Sequence, residues 1–257
     1  MKARPRIGVF KLTSCDGCQL TLLDLEDELL AIAAGLEITC FTELSSASDP
    51  AGPFDVVLVE GSVSTPQQLE HIREIRAHTR VLVTIGACAS AGGLQALRNF
   101  ADHHDFVRTV YARPDYIASL TTSTPVADHV PVDLELRGCP IDKGQLREVI
   151  TALLVGRRPN LPRHSVCMQC KAAGQVCVTV ARGIPCLGPV THAGCGALCP
   201  RYARGCYGCF GPSAEANTGA LARRLKVLGQ DREQIQRAFH FINGWAEAFR
   251  GEGDRHG

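Results

Sequence analysis

The sequence predicts an α/β fold, in which a doubly wound, mainly parallel sheet is followed by a smaller cysteine-rich segment. Two observations lead to this class. Over the first 156 residues, short segments rich in β-branched side chains alternate with helix-forming stretches, which is typical of a parallel sheet with helices on both faces. Most of the 13 cysteines follow this region, where a dense set of thiols favours metal ligation.

Five segments of the first part predict strands, because they are apolar, rich in β-branched residues and mostly end at glycine or polar residues. They are residues 6–10, 36–41, 54–61, 80–86 and 132–138.

Helical stretches lie between the strands, at residues 19–36, 65–79 and 142–156. Thr65 followed by Pro66 fits an N-cap with proline at the first helical position. Residues 220–250 predict two more amphipathic helices, separated near Gly229. We expect three aromatic residues there to pack against the cysteine-rich segment or a partner: Phe239, Trp245 and Phe249.

The chain divides near Gly156 into two parts of opposite charge. Residues 1–156 carry 13 Lys and Arg against 20 Asp and Glu, a net charge of −7, whereas residues 157–257 carry 14 against 6, a net charge of +8. We expect two domains with these limits. Only seven aromatic residues follow Gly156, which makes a poor stacking platform for bases, so no nucleic-acid partner is expected.

Neither an export signal nor a membrane span is predicted. The first strand is not preceded by a charged and then apolar leader or by a twin-arginine stretch. Apolar runs stay well below the roughly 20 residues that cross a bilayer. We therefore expect a cytoplasmic protein whose cysteines bind metal or act in catalysis rather than form disulfides.

Four cysteines follow predicted strands. Because the carboxyl ends of parallel strands share one edge of the sheet, residues far apart in sequence can meet there. The four are Cys15 and Cys18 after the first strand, Cys88 in the loop ACASAGG and Cys139 in the segment GCP. This edge predicts a four-thiolate site, although Cys88 and Cys139 could also be small buried apolar residues. Cys40 lies within a strand, and we assign it to the core.

A second block holds eight cysteines within 43 residues: Cys167, Cys170, Cys177, Cys186, Cys195, Cys199, Cys206 and Cys209. Its ending CGALCP repeats the C-x3-C-P pattern of bacterial ferredoxins, in which the ligands of two iron–sulfur clusters are interleaved. Structural zinc sites also use paired cysteines, but their knuckles are separated by a clear gap, whereas single cysteines are threaded between the pairs here. We therefore favour two iron–sulfur clusters over zinc.

The spacing leaves the pairing within this block open. Our hypothesis joins Cys167, Cys170 and Cys177 with Cys206 or Cys209, and leaves the other member of that terminal pair with three cysteines. Those three are Cys186, Cys195 and Cys199. For His192 we expect a place beside the ligands or on the surface, because eight cysteines already fill two sites.

Three basic residues lie inside the block: Arg182, Arg201 and Arg204. They can balance the negative charge of thiolate-bound clusters or dock an acidic electron carrier, and a solvated basic face is equally compatible with the sequence.

Five motifs together resemble the small subunit of cytoplasmic [NiFe] hydrogenases, and most of all the delta subunit of the soluble NADP-linked enzymes also called sulfhydrogenases. They are SCDGCQLTLLDLEDELL (14–30), VEGSVST (59–65), GACASAGGLQ (86–95), RGCP (137–140) and CLGPVTHAGCGALCP (186–200). The resemblance extends from about Arg6 to Gly211. It implies a flavodoxin-like domain with a proximal [4Fe–4S] cluster, followed by a small domain with medial and distal [4Fe–4S] clusters.

Carried over by motif, the proximal ligands are Cys15, Cys18, Cys88 and Cys139. The resemblance places Glu60, Ser62 and Thr65 near that cluster and near the large subunit. It assigns the other two [4Fe–4S] clusters to the eight cysteines of the second block.

The reaction implied by the resemblance is reversible oxidation of H2. Its catalytic Ni–Fe centre lies in a separate large subunit, and FAD and NAD(P) in a flavin-bearing subunit, with a ferredoxin-like subunit as a further partner. This chain would only relay electrons, in line with the absence of a catalytic triad or carboxylate pair that could be assigned from the sequence.

Two alternatives stay open. One is the proximal-cluster subunit of a complex I-like quinone reductase, although that family has adjacent cysteines at the first site and lacks the eight-cysteine block. The other is a zinc-stabilised binding module without redox function.

Overall fold

A computed structural model describes residues 4–257 and shows a five-stranded parallel sheet. The strands are β1 (Arg6–Lys11), β2 (Glu37–Phe41), β3 (Phe54–Glu60), β4 (Thr79–Ile85) and β5 (Leu134–Leu136). Their spatial order is β2-β1-β3-β4-β5, and every neighbouring pair is parallel. This is the order found in flavodoxin-like sheets. All five predicted strands are confirmed, with β5 shorter than expected.

Six helices accompany the sheet: α1 (Gly17–Leu23), α2 (Asp27–Ala34), α3 (Pro66–Ala77), α4 (Gly86–Ala91), α5 (His103–Val110) and α6 (Lys143–Leu154). Short 3-10 helices lie at Leu94–Phe100, Pro114–Tyr116 and Val126–Asp128. The predicted start of α3 is confirmed, because Thr65 caps it by accepting a hydrogen bond from the backbone N–H of Gln68, and Pro66 is its first residue.

The sheet is covered on both faces, because successive side chains of a strand point to opposite sides. Leu58 packs with Leu146 of α6 on one face, and Val57 packs with Ile72 of α3 on the other. Cys40 is buried on the second face, which confirms its assignment to the core.

Two local predictions in the first part are wrong. The stretch 19–36 is not one helix: α1 and α2 are separated at residues 24–26, where Glu26 has a φ of 50°. The apolar periodicity continues across this break and therefore gives no sign of it. The ACASAGG segment is not a loop, since residues 86–91 form α4 directly after β4.

The part after Gly156 contains short helices around the cysteines and three longer ones at its end. They are α7 (Val166–Ala172), α8 (Val178–Arg182), α9 (Leu198–Arg201), α10 (Thr218–Val227), α11 (Arg232–Phe239) and α12 (Glu247–Asp254). The predicted helix before Gly229 corresponds to α10, but the one predicted after it is interrupted, because α11 ends at Phe239 and α12 begins at Glu247.

Phe239 and Phe249 pack as expected, whereas the ring contact of Trp245 is with the first part of the chain. Phe239 and Phe249 are buried with Leu187 of the cysteine block. Trp245 contacts the edge of Phe100 in the first part of the chain, with their ring centroids 5.7 Å apart.

The two parts are joined by polar contacts as well. Arg137, just after β5, donates a hydrogen bond of 2.7 Å to the carbonyl oxygen of Pro212. Gln145 of α6 donates one of 2.9 Å to the carbonyl oxygen of Gly194. Over residues 4–257, no helix has the length and apolar character needed to cross a lipid bilayer.

Candidate metal centre

The four predicted edge cysteines meet beyond the carboxyl ends of β1, β4 and β5. Cys15 lies two residues before α1, Cys18 is the second residue of α1, Cys88 lies in α4, and Cys139 follows β5. The backbone N–H of Ala87 donates a 2.7 Å hydrogen bond to the carbonyl oxygen of Gly138, which holds α4 against the segment of Cys139. We name these four cysteines the first thiol group.

The thiols of this group influence one another's pKa. Burial, followed by the thiols of Cys139 and Cys15, raises the pKa of Cys88 to about 12. Burial and then the Glu60 carboxylate raise the pKa of Cys18, with smaller effects from Cys88 and Cys139. Four such thiols cannot ionise together without a compensating positive charge, and bound metal ions provide that charge. The first thiol group therefore fits a metal cofactor.

Glycines leave space around these sulfurs. Gly86 has a φ of 86°, and a Cβ at this position would collide with the Cys18 sulfur. Gly93 has a φ of 62°, and a Cβ at this position would likewise collide with the Cys88 sulfur. Both positions need a positive φ, which glycine adopts without steric cost, so the backbone comes close to the thiols.

Glu60 is the acidic residue of this edge. Its carboxylate is buried at the end of β3 and accepts hydrogen bonds from the backbone N–H groups of Cys18 (3.1 Å) and Gln19 (3.2 Å). It thereby fixes the start of α1, as expected from its predicted position near the first site. Ser62 and Thr65 have other contacts: Ser62 accepts a hydrogen bond from Ser123, and Thr65 caps α3.

Gln95 was not singled out from the sequence as a site residue, although it ends the motif GACASAGGLQ. The Cys88 thiol donates a 3.3 Å hydrogen bond to its Oε1, and its Nε2 donates one of 3.3 Å to the carbonyl oxygen of Thr13. Gln95 is thus a side chain in direct contact with a sulfur of the first thiol group.

A second thiol group adjoins the first. A cavity of about 220 Å³ lies between Cys139 and four cysteines of the block, namely Cys195, Cys199, Cys206 and Cys209. Burial, followed by Cys195, Cys199 and Cys139, raises the pKa of Cys209 to about 12. Cys139 and Cys209 therefore connect the two groups.

The third thiol group consists of Cys167, Cys170, Cys177 and Cys186. Burial, followed by the other three thiols, raises the pKa of Cys167 to about 11. A Cβ at Gly188 would lie 3.3 Å from the Cys186 sulfur and 3.6 Å from the Cys167 sulfur. Cys177 is exposed, so this group reaches the surface.

This arrangement differs from the pairing expected from spacing, which joined Cys206 or Cys209 to Cys167 and placed Cys186 with Cys195. The chain folds back after Cys186, so that the backbone N–H of Cys206 donates a 3.1 Å hydrogen bond to the Cys186 sulfur. Cys206 and Cys209 then both line the cavity of the second group. Sequence spacing contains no information about this reversal.

In the described part of the chain, no three His, Cys, Asp or Glu side chains are close enough to share a single metal ion. A [4Fe–4S] cluster needs a wider spacing, because each of its four thiolates binds a different iron. His192 is half-buried in a cleft lined by Trp245 and Arg163, and its Nδ1–H donates to the carbonyl oxygen of Ala193 at 2.7 Å. Burial lowers its pKa.

Known proteins resemble the chain over the same regions. The family described as NADH ubiquinone oxidoreductase, 20 Kd subunit, matches residues 15–153. Sulfhydrogenase 2 subunit delta of Pyrococcus furiosus is 38% identical over 240 residues, which are 93% of this chain and 100% of that protein.

Two solved structures share the fold. A chain of an NAD+-reducing [NiFe]-hydrogenase in the H2-reduced state superimposes with a TM-score of 0.56 and 31% identity, covering 62% of this chain and 96% of that chain. A chain of the actinobacterial-type NiFe-hydrogenase from Ralstonia eutropha H16 reaches a TM-score of 0.59 over 88% of this chain and 90% of that chain. Its identity of 15% limits that likeness to the fold.

Proposed function

The chain belongs to the family of hydrogenase small subunits, and we propose that it carries electrons between the Ni–Fe centre of a large subunit and a redox partner through three [4Fe–4S] clusters. It then works within an oxidoreductase that acts on H2. The observation that carries the proposal is the continuity of the three thiol groups, in which Cys139 and Cys209 connect the first to the second and Cys186 contacts Cys206 of the second.

Each thiol group would hold one cluster. Cys15, Cys18, Cys88 and Cys139 bind the proximal cluster. Cys195, Cys199, Cys206 and Cys209 bind the medial cluster, and Cys167, Cys170, Cys177 and Cys186 the distal one. The first belongs to a domain of residues 1–156 and the other two to a domain of residues 157–257.

When bound, such clusters accept and release one electron at a time. The chain's own residues orient the ligands and supply hydrogen bonds to the sulfurs. The backbone N–H groups of Gly188 and Cys206 donate to Cys186, and that of Gly208 donates to Cys206. Such bonds stabilise a thiolate and tune the reduction potential of the cluster that it binds.

The relatives' names support the identity of the partners. One matching protein is a sulfhydrogenase subunit and one matching structure is an NAD+-reducing hydrogenase. We accordingly propose a large subunit with the Ni–Fe centre, and a flavin-bearing subunit that reduces NAD(P)+. The chain itself needs no acid, base or nucleophile.

A quinone-reductase role is a second candidate, because the matching family is named after such a subunit. That match ends at residue 153, before the eight-cysteine block. The sulfhydrogenase relative, in contrast, covers 93% of the chain. The hydrogenase role therefore accounts for more of the sequence.

Metal analysis of the anaerobically purified complex tests the proposal. Three clusters predict about 12 iron and about 12 labile sulfide per chain, together with one nickel and one further iron from a co-purified large subunit. Zinc without sulfide would contradict it and favour the zinc-stabilised binding module.

Cys139→Ser and Cys40→Ala form a matched pair of variants for the same complex. We expect Cys139→Ser to lose about 4 iron and the H2-driven reduction of a viologen dye, because it removes a proximal ligand. Cys40→Ala, which changes a core cysteine, should keep the full iron content and the H2-driven dye reduction. Unchanged activity in Cys139→Ser would show that the proximal assignment is wrong.

A further inference from the structure

The surface around the third thiol group combines exposed cations with exposed apolar side chains. We name it the distal face. It consists of exposed residues of α7, of α8 and of the segment between these two helices, namely Lys171, Arg182, Met168, Val176 and Val180. We propose that the distal face docks the acidic surface of an electron-transfer protein, an inference that rests on the proposed function and adds the chemistry of the partner.

Among residues 4–257, the positive charge of this face has no counter-charge in direct contact: no carboxylate lies within 4.0 Å of the cationic groups of Lys171 or Arg182. Residues 157–214 contain seven Lys and Arg but no Asp or Glu. A cationic patch of this kind attracts an acidic protein and speeds its association.

The cations lie beside the thiols rather than at a distance from them. Lys171 directly follows Cys170 in α7 and acts electrostatically on Cys167, and Arg182 ends α8, the helix that begins after Cys177. A partner held by these charges is therefore brought close to the thiol groups that would deliver the electron.

Apolar side chains between the cations give the face an interface core. Val180 is 80% exposed, Val176 73% and Met168 53%. Protein interfaces pair such a core, in which methionine is enriched, with a polar rim. Apolar side chains grouped in this way mark interaction sites on soluble proteins.

The position of the face fits an exit point for electrons. Its central cysteine, Cys177, is exposed. The first thiol group, at the other end of the series, lies in the part of the chain with a net charge of −7. The two ends therefore differ in sign, and an acidic partner is directed to the distal end.

Charge reversal tests the docking on the anaerobically purified hydrogenase complex. The variant Lys171→Glu/Arg182→Glu is compared with Arg223→Glu/Arg224→Glu, which makes the same charge change on α10. H2-driven reduction of an acidic ferredoxin and of benzyl viologen is measured against NaCl concentration, and iron content is measured for each preparation. Lys171→Gln/Arg182→Gln serves as a milder variant in case the reversed one fails to assemble.

We expect the distal-face reversal to lower kcat/KM for ferredoxin about tenfold at low salt, with its salt dependence flattened. The α10 control should match the wild type, and all variants should reduce benzyl viologen equally. The kcat/KM of Lys171→Gln/Arg182→Gln for ferredoxin should lie between those of the wild type and of the charge-reversed variant.

Other results would overturn the docking. Equal ferredoxin rates in all variants would mean that the cations only balance the charge of bound clusters. Binding to anionic phosphatidylglycerol vesicles that is lost in the variant, with ferredoxin rates unchanged, would indicate a membrane surface instead. A wild-type complex that reduces neither acceptor with H2 would contradict the proposed function itself.

Discussion

Gln95 shows how one side chain can tune the first thiol group. Its Oε1 accepts a hydrogen bond from the Cys88 thiol. Once Cys88 binds metal as a thiolate, no proton remains, and the Gln95 amide must present its N–H to the sulfur instead. A hydrogen bond to a ligand sulfur raises the reduction potential of the cluster, because it stabilises the added negative charge of the reduced state.

We therefore expect Gln95→Leu to lower the midpoint potential of the proximal cluster by about 40 mV, since one hydrogen bond contributes about 1 kcal/mol and the transfer involves one electron. Gln95→Glu should lower it further, because a carboxylate repels the added electron. Redox titration followed by electron paramagnetic resonance measures both shifts. The distal cluster in the same sample is the control, and equal potentials in all three proteins would contradict the contact.

At the scale of elements, the sequence was informative where topology alone decides position. The meeting of Cys15, Cys88 and Cys139 could be predicted, because parallel strands end at one edge. The gathering of Cys206 with Cys195 could not, because it depends on the chain reversal that brings the Cys206 N–H to Cys186.

The full extent of α12 could not be predicted for a related reason: the expected helix ends at Arg250, whereas α12 continues to Asp254. Its sequence EAFRGEGD contains two glycines, which are unfavourable inside a helix. The buried side chain of Phe249 anchors it against Phe239 and Leu187. Tertiary packing of this kind overrides local propensity.

The packing of α12 predicts a large effect for Phe249→Ala. Phe249 is 1% exposed and meets Phe239 edge to face at 5.7 Å. Removing a buried phenylalanine side chain lowers the free energy of unfolding by about 3–5 kcal/mol. Urea denaturation under anaerobic conditions, followed by circular dichroism, measures this loss.

Phe241→Ala is the matched control for that experiment. Phe241 lies just after α11 and is 42% exposed, so its truncation should change the free energy of unfolding by about 0.5 kcal/mol or less. Equal losses in the two variants would show that α12 is not held by Phe249.

At the scale of the whole molecule, the two parts of the chain differ in what stabilises them. The sheet has a large apolar cluster on each face. Among the described residues of the cysteine block, the local apolar cluster contains only three buried residues, Val166, Ala197 and Cys206. Helices α7, α8 and α9 have 7, 5 and 4 residues, and isolated helices of such length are not stable in water. Leu187 and Val190 of the block join the apolar cluster of α10–α12 instead, so the part of the block around α7, α8 and α9 depends on bonds to metal.

Removal of iron should consequently unfold the cysteine block and leave the sheet folded. After anaerobic treatment with a chelator and an oxidant, we expect fast hydrogen exchange for the backbone amides of residues 163–212 and continued protection in β1, β3 and β4. The physical reason is that metal binding and folding are coupled where the apolar core is small, as it is around α7–α9, whereas the sheet retains Leu58, Val57 and their neighbours in its cores. Rebuilding the clusters with iron and sulfide should restore protection in the block. If both parts lost or kept their protection together, the cysteine block would be stabilised by its contacts with the sheet, such as that between Arg137 and Pro212, rather than by metal.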